Sequence, residues 1–296
     1  LGGLACQTKS KAETARWLDR LVNNDSYRER IGHLGLRKVL SEHTYKERMN
    51  FILQQMGMDK FVQQSNPMIS VVCSTNRPHR IGNVLDNYQR QSYENKELLV
   101  ILNEDSMSVE GVKKLIADRG IDNARVFQLP SERSLGECLN LAIDKSEGEF
   151  WTKIDDDNYY AENFLSDLML AFDYTDAAIV GKCAYYCYLS GSKTLAIRFF
   201  GEENKYVNFL SGSAMICKRE VFDKVRFPEQ SISEDTIFLK DCIKNNFKLY
   251  SADKYNYVCM RNPNLDEHTW KIDEDEYLRK CKVISYTDDY KTPVTI

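Results

Sequence analysis

From Met68 onward, short apolar runs rich in β-branched residues alternate with segments of helical periodicity. The apolar runs are MISVVCS, KELLVILN, ARVFQL and GEFWTKI, and the helix-like segments between them are HRIGNVLDNYQRQ, SVEGVKKLIADRG and SLGECLNLAIDKS. This alternation is typical of a parallel sheet with helices on both faces, so the sequence predicts an α/β fold. Ligands of such sheets bind beyond the carboxyl ends of the strands, which makes the residues after each strand the candidates for a functional site.

The regions on either side of this alternation have different patterns of apolar residues. Residues 9 to about 62 carry apolar side chains at three- and four-residue spacing and predict helices. After Asp176 the run AAIVGKCAYYCYLSGSKTLAIRFF predicts longer antiparallel strands, followed by a strand and helix in SGSAMICKREVFDKV, a helix in SEDTIFLKDCIKNN and strands in KLYSA and YNYVCMR. We therefore expect a helical appendage at 1–64, an α/β domain at 67–283 and a C-terminal tail at 284–296.

Composition excludes several classes of protein. The chain is 43% hydrophobic, too apolar for a disordered protein, and its formal charge of −4 argues against a protein that wraps nucleic acid. The sequence contains neither an apolar run of about 18 residues nor a leader pattern, so we expect no transmembrane segment. Nine cysteines, an odd number without a CxxC pair, indicate reduced and mostly buried thiols and a cytoplasmic location. Cys183 and Cys187 are close in sequence, but a zinc site there is not favoured.

The fourth apolar run ends in the most informative turn, Asp155-Asp156-Asp157. Three adjacent carboxylates repel one another, and a divalent cation among them offsets that cost. If strand geometry continues, Asp155 and Asp157 point the same way, so that one faces a nucleotide and the other a metal ion. A solvated acidic turn is the alternative. The chain has no GxGxxG after its first strand and no GxxxxGK[ST], which disfavours dinucleotide binding and P-loop chemistry.

Three segments together resemble the family 2 glycosyltransferases, over roughly residues 67 to 281. They are ISVVCSTNRPHRIGNVLDNYQRQSYENKELLVILNEDS, SLGECLNLAIDKSEGEFWTKIDDDNYY and SGSAMICKREVFDKVRFPEQSISEDTIFLKDC. The resemblance implies the GT-A fold, a mostly parallel central sheet covered by helices. It also implies an inverting, metal-dependent hexosyltransferase that uses a nucleotide-diphosphate sugar, with a UDP-sugar expected, and a hydroxyl of a glycan or cell-surface polymer precursor as acceptor.

The resemblance assigns roles residue by residue. Asp235 is the expected base and Glu234 its neighbour in the family's Glu-Asp pair, while Asp157 and His268 are the expected ligands of Mn²⁺ or Mg²⁺. The residues implied in nucleotide-sugar binding are Ser74, Asn76, Arg77, Asn103, Glu104, Gly136, Asn140, Asp155, Asp156 and Ser213. Asn103 and Glu104 stand where the family usually has two aspartates, which leaves the nucleotide base open.

Residue chemistry agrees with these roles and also allows alternatives. A divalent ion neutralises a leaving diphosphate, and a carboxylate accepts the proton of an attacking hydroxyl. Glu234 and Asp235 after Ser233 are equally good capping residues for a helix. A sugar-phosphate nucleotidyltransferase and a catalytically inactive glycan-binding module remain as competing hypotheses. Neither the sugar, the acceptor, the linkage nor the oligomeric state follows from the sequence.

The helical appendage carries a second, shorter resemblance. Ser41-Glu42-His43-Thr44-Tyr45-Lys46-Glu47-Arg48 resembles the closing helix of GT-B glycosyltransferases of the spore-maturation type. This implies a longer polypeptide in which a GT-B module precedes Leu1. It agrees with a cytoplasmic enzyme, in solution or at the inner face of the membrane.

Overall fold

The computed structural model describes residue 4 and residues 7–62, 66–264 and 270–296. The chain forms two compact units, Leu1–Ser65 with Ile296, and Asn66–Thr295. Within the described residues, no helix combines the length and the apolarity that crossing a membrane requires.

The first unit consists of the helices that the apolar spacing predicts. They are α1 (Lys11–Asn23), α2 (Asp25–Glu42) and α3 (Tyr45–Gln55), followed by a 3₁₀ turn at Asp59–Phe61. A polar side chain begins each helix, because Ser10, Asn24 and Thr44 accept hydrogen bonds from backbone amides of the first turn.

The second unit is built on an eight-stranded sheet. Its strands are β1 (Ile69–Thr75), β2 (Lys96–Leu102), β3 (Ala124–Gln128), β4 (Phe150–Lys153), β6 (Ile179–Gly181), β9 (Lys205–Val207), β10 (Met215–Lys218) and β11 (Leu249–Ser251). The strand order is β3-β2-β1-β4-β10-β6-β11-β9, in which β1 to β4 are mutually parallel and β10 is antiparallel to both its neighbours. The predicted mostly parallel sheet is confirmed, and the carboxyl ends of β1 to β4 share one edge.

Helices cover both faces of this sheet, as the alternation predicts. They are α4 (Ile81–Arg90), α5 (Val109–Asp118), α6 (Leu135–Lys145), α7 (Phe164–Tyr174) and α8 (Glu234–Lys244). Apolar side chains of α4, α5 and α7 pack in one core cluster, and those of α6 and α8 pack in a second. Of these five helices, α7 is the one that the sequence does not predict. Its sequence FLSDLMLAFDY is apolar almost throughout and shows no polar stripe.

A second, five-stranded sheet contains the predicted antiparallel strands. Its members are β5 (Tyr159–Tyr160), β7 (Tyr185–Leu189), β8 (Thr194–Arg198), β12 (Tyr257–Arg261) and β13 (Cys281–Tyr286), in the order β13-β8-β7-β12-β5. Helix α9 (Glu274–Leu278) precedes β13, and α10 (Lys291–Val294) follows it. The region expected to be a tail, 284–296, therefore supplies the end of β13 and all of α10.

The cysteines of the described residues are unpaired thiols. Six of these eight are buried, and Cys259 and Cys281 are half-buried. Cys6 lies outside the described residues.

Candidate active site

The acidic triplet lies where two parallel strands end side by side. β1 and β4 are paired in parallel. The first pair of facing residues is Ile69 with Phe150, and the last is Val72 with Lys153. β4 ends at Lys153, so the alternation of a strand does not extend into Asp155-Asp156-Asp157. The condition under which Asp155 and Asp157 are expected to point the same way, a strand that continues, is therefore not met, and their contacts come from the turn instead.

Arg77, in the turn after β1, pairs with two of the three carboxylates. Its Nε donates to Asp156 Oδ2 at 3.0 Å and its Nη2 to Asp157 Oδ2 at 3.0 Å, and Nη2 also contacts Asp156 Oδ1. Thr75 Oγ1 donates to Asp156 and accepts from the backbone amide of Arg77. Asp156 is only 2% exposed, so these donors from Arg77 and Thr75 take the place of water around its carboxylate. A guanidinium supplies the first counter-charge of the triplet.

Asp155, the third carboxylate, belongs to a different set of contacts. Its Oδ2 accepts from Asn158 Nδ2 at 3.3 Å, and its backbone amide donates to the hydroxyl of Tyr160 at 2.9 Å. The same Tyr160 hydroxyl donates to the carbonyl of Ser213 at 2.8 Å, and Ser213 Oγ lies 2.6 Å from the hydroxyl of Tyr257. These buried tyrosines fix the triplet against the Ser211-Gly212-Ser213 turn.

Lys153 connects the triplet to the predicted Glu-Asp pair. Its Nζ lies 3.3 Å from Asp155 Oδ1 and 3.6 Å from Glu234 Oε1. Burial alone lowers the pKa of Lys153, but the charges of Asp155, Glu234 and Asp235 outweigh that effect and raise this pKa above its usual range. The pKa of Glu234 is raised by burial, against the opposing influence of Lys153. The triplet and the pair thus form one charged cluster around a buried ammonium.

Asp235 sits in the first turn of α8 beside a glycine. Its Oδ1 accepts from the backbone amide of Thr236 at 2.6 Å, and a Cβ added to Gly212 would lie 2.7 Å from Asp235 Cγ. Ser233 precedes the helix with φ at 62° and makes no side-chain cap hydrogen bond. The half-buried carboxylate of Asp235 therefore packs directly on the 211–213 turn, which provides backbone space that a larger residue would fill.

The carboxylates of the triplet suit a divalent cation. Burial, together with the charges of Asp155 and Asp156, raises the pKa of Asp157 from 3.8 to about 6, although Arg77 opposes the shift. A cation relieves this crowding, and partly exposed carboxylate oxygens are the ligands that Mg²⁺ and Mn²⁺ prefer. Within residues 66–264, Arg77 is the only side chain that pairs with Asp157. His268, the other expected ligand, lies outside the described residues.

The residues expected to contact the base and the ribose of the nucleotide lie at the ends of β1 and β2. Ser74 is half-buried at the end of β1 and Asn76 is exposed in the following turn. Asn103 Nδ2 donates to the carbonyl of Pro130 at 2.8 Å, and Glu104 Oε1 accepts from Ser106 Oγ at 3.1 Å. The side chains of Asn103 and Glu104 thus order the turns at the edge that also carries the triplet.

Gly136 and Asn140 of α6 make contacts with the segment that leads to α8. The Gly136 amide donates to the carbonyl of Gln230 at 3.1 Å, and a Cβ there would meet the Pro228 backbone. Asn140 forms two hydrogen bonds with the backbone of Phe227, at 2.9 and 3.1 Å. The structure therefore places these two predicted binding residues where they position the loop before Asp235.

The sequence patterns do not predict several residues of the cluster. They are Thr75, Lys153, Asn158, Tyr160 and Tyr257. Asn158 and Thr75 adjoin predicted site residues, so their position in the strand-end turns was a usable signal. Lys153 and Tyr257 stand inside predicted strands and gave none.

The chain is similar in sequence to known proteins. The family model described as "Glycosyl transferase family 2" matches residues 70–226. An "Uncharacterized glycosyltransferase" of Haemophilus influenzae is 23% identical over 216 residues, which are 69% of this chain and 84% of that protein. A "Putative colanic acid biosynthesis glycosyl transferase WcaA" of Escherichia coli is 29% identical over 106 residues, which are 35% of this chain and 37% of that protein.

Solved structures share the fold at low sequence identity. S. aureus TarS 1-349 in complex with UDP-GlcNAc has a TM-score of 0.54 and 18% identity, with 72% of this chain and 64% of that chain covered. The mannosyltransferase PcManGT from Pyrobaculum calidifontis, in complex with GDP-Man and Mn²⁺, has a TM-score of 0.52 and 14% identity, with 86% of this chain and 70% of that chain covered. This chain spans less than two thirds of the TarS fragment, 60% of it in another crystal structure of TarS 1-349. The predicted GT-A fold is confirmed.

Proposed function

This chain belongs to glycosyl transferase family 2, and we propose that it is an inverting, metal-dependent transferase of a sugar from a nucleotide-diphosphate sugar. A UDP-sugar is the expected donor, and a hydroxyl of a glycan or cell-surface polymer precursor is the expected acceptor. One observation carries the proposal: Lys153 joins the acidic triplet of residues 155–157 to the Glu234-Asp235 pair. A donor-side cation site and a carboxylate base belong to one cluster in such an arrangement.

The donor's diphosphate is assigned to the triplet. Asp157 would hold Mn²⁺ or Mg²⁺ and Asp155 would contact the ribose or the same ion, with Asp156 fixed by Thr75 and Arg77 behind them. When bound, such an ion acts as a Lewis acid that stabilises the departing diphosphate. TarS has been crystallised with UDP and with UDP-GlcNAc, and PcManGT with GDP-Man and Mn²⁺, which supports a nucleotide-sugar donor for this fold.

The acceptor's proton is assigned to Asp235. Its carboxylate is half-buried, faces the Ser211-Gly212-Ser213 turn and belongs to the cluster that contains the donor site. A carboxylate within hydrogen-bond reach of the acceptor hydroxyl takes its proton during attack. Attack on the face opposite to the departing diphosphate, with one base and no covalent intermediate, inverts the anomeric centre.

The alternative of a sugar-phosphate nucleotidyltransferase loses its main support. That hypothesis needs a glycine-rich, basic loop after β1, and the turn STNRPHR contains no glycine.

Calorimetric titration with UDP, in the presence and absence of Mn²⁺, tests the proposal. We expect UDP to bind at least about tenfold more tightly with Mn²⁺, and Asp157→Ala to remove that difference. Binding of UDP that shows no dependence on metal and is unchanged in Asp157→Ala would contradict the metal assignment. No binding of any nucleotide would favour an inactive glycan-binding module. A screen of nucleotide sugars for slow hydrolysis then identifies the donor.

We also propose that residues 1–64 are the helical end of a preceding GT-B module, in an enzyme located in the cytoplasm or at the inner face of the membrane. The proposal is supported by the resemblance of Ser41 to Arg48 and by the three capped helices of the first unit. Sequencing of the gene upstream of the codon for Leu1 tests it. A stop codon directly upstream in the same frame would refute it.

A further inference from the structure

The Arg77 guanidinium contacts the carboxylates of both Asp156 and Asp157, a position that a divalent cation would also favour. Its Nη2 contacts Asp156 Oδ1 and lies 3.0 Å from Asp157 Oδ2, so one nitrogen serves two carboxylates. The two carboxylates differ sharply in their surroundings. Asp156 is 2% exposed and is also bound by Thr75, whereas the side chain of Asp157 is 15% exposed and, within residues 66–264, pairs with Arg77 alone.

This difference makes one of the two contacts permanent and the other exchangeable. Removal of Arg77 from Asp156 would leave a buried charge without its counter-ion, which is strongly unfavourable. Asp157, in contrast, is crowded by Asp155 and Asp156 and reaches solvent, so another cation has access to it. The Arg77 side chain is 25% exposed and follows a strand end rather than lying in a helix or strand, so a ligand in solvent has access to it.

We propose that Arg77, anchored on Asp156, exchanges Asp157 for an oxygen of the donor's diphosphate when Asp157 binds a divalent cation. This inference rests on the proposed function, since it takes the donor and the metal from there. Before the donor binds, Arg77 neutralises Asp157 and competes with the cation. After exchange, the Nη2 hydrogen that Asp157 releases is donated to the diphosphate, a ligand that suits the planar guanidinium.

The exchange makes metal and nucleotide binding cooperative. The cation binds weakly by itself because Arg77 must first be displaced, and it binds well when a diphosphate takes over the guanidinium. Because such coupling is reciprocal, the factor by which UDP strengthens Mn²⁺ binding equals the factor by which Mn²⁺ strengthens UDP binding.

Titration with Mn²⁺ alone, followed through the electron paramagnetic resonance signal of the free ion, tests the competition directly. In Arg77→Met we expect Mn²⁺ without nucleotide to bind at least about tenfold more tightly than in the wild type, because the competing cation is gone. We expect UDP in the presence of Mn²⁺ to bind at least about tenfold more weakly, since the diphosphate has lost a partner. Both changes reduce the coupling factor.

Two further variants keep this test decisive. Arg77→Met/Asp156→Asn removes the buried charge together with its partner, so it answers the same question if Arg77→Met does not fold. Arg226→Met removes an exposed arginine that pairs with Asp144 and should leave both affinities unchanged. The double variant should again bind Mn²⁺ alone more tightly than the wild type.

The possible outcomes separate this inference from the proposed function. If UDP and Mn²⁺ strengthen each other's binding in the wild type and Arg77→Met changes neither the affinity for Mn²⁺ alone nor the coupling factor, Arg77 is a structural residue. The proposed function then stands without the exchange. If the wild type binds UDP without any effect of Mn²⁺, or does not bind it, both the metal assignment and the exchange are overturned.

Discussion

Lys153 Nζ lies 3.6 Å from Glu234 Oε1 and thereby joins the end of β4 to the first turn of α8. The same ammonium lies 3.3 Å from Asp155 Oδ1. The side chains of Lys153 and Glu234 are 8% and 7% exposed, so water does not replace either partner if the other is removed. This buried ammonium holds the acidic triplet and the Glu234-Asp235 pair together.

Loss of the ammonium should destabilise the fold. We expect Lys153→Met to lower the free energy of unfolding by about 3 kcal/mol, because it leaves the buried carboxylate of Glu234 without a counter-charge. Urea unfolding at neutral pH, followed by circular dichroism, measures the change.

A double variant distinguishes the charge from the packing of the side chain. Lys153→Met/Glu234→Gln removes both charges and should recover more than half of the lost stability. Lys153→Met with a loss below about 1 kcal/mol would show that the pair contributes no more than an exposed one.

The sequence located the acidic triplet but not what surrounds it. β1 to β4 are short apolar runs bounded by polar turns, and this local pattern was enough to place Asp155 to Asp157 at the carboxyl edge of the sheet. Lys153 lies inside such a run, and its partner Glu234 comes from a helix far along the chain. No local pattern reports a contact of that kind.

The sequence does not predict the length of β4 either. An apolar run does not state where hydrogen bonding with β1 stops, and the pairing ends at Lys153 rather than among the aspartates. The role of Arg77 as a counter-ion required the parallel pairing of β1 and β4, which brings two turns together that are distant in sequence.

Asp157 should make the site less stable at neutral pH than at acid pH. Its pKa of about 6 in the folded protein exceeds the ordinary 3.8, so the folded state binds more protons between these values, and stability falls as the pH rises through 6. We expect Asp157→Asn to raise the free energy of unfolding by about 1 to 2 kcal/mol near pH 8, and by much less near pH 4.5. Thermal unfolding across this pH range measures the difference.

The same variant should lose the effect of Mn²⁺ on UDP binding, so that stability is gained where function is lost. Asp241→Asn is the control: it changes an aspartate of α8 whose side chain is 40% exposed and pairs with Lys244, and it should leave that effect unchanged. An Asp157→Asn protein that is less stable than the wild type near pH 8 would mean that the contact with Arg77 outweighs the crowding.

Asp235→Asn should separate donor binding from transfer. We expect the transfer rate to fall by about 10² to 10⁴, because the amide does not accept the acceptor's proton, while the affinity for UDP with Mn²⁺ changes by less than about threefold. Single-turnover transfer and calorimetry on the same protein give both values. Loss of UDP binding in this variant would assign Asp235 to the donor side or to the structure.

Gly212→Ala should displace the side chain of Asp235 without changing any charge. The new Cβ would lie 2.7 Å from Asp235 Cγ, closer than side chains tolerate, so the carboxylate has to leave its position against the 211–213 turn. We expect transfer to fall at least about tenfold with UDP binding retained, because displacement of a catalytic group by about 1 Å is costly.

Two comparisons show whether this loss acts through Asp235. Gly82→Ala is the matched control: it lies in α4, where the nearest atom, Arg119 Nη2, would be 3.7 Å away, and it should be neutral or stabilise by about 0.5 to 1 kcal/mol. In an Asp235→Gly background, Gly212→Ala should cause little further loss of stability, since the side-chain atoms that clash, the Asp235 Cβ included, are gone, and the shortfall from additivity measures the contact. Equal costs of Gly212→Ala in both backgrounds would place the strain elsewhere in the turn.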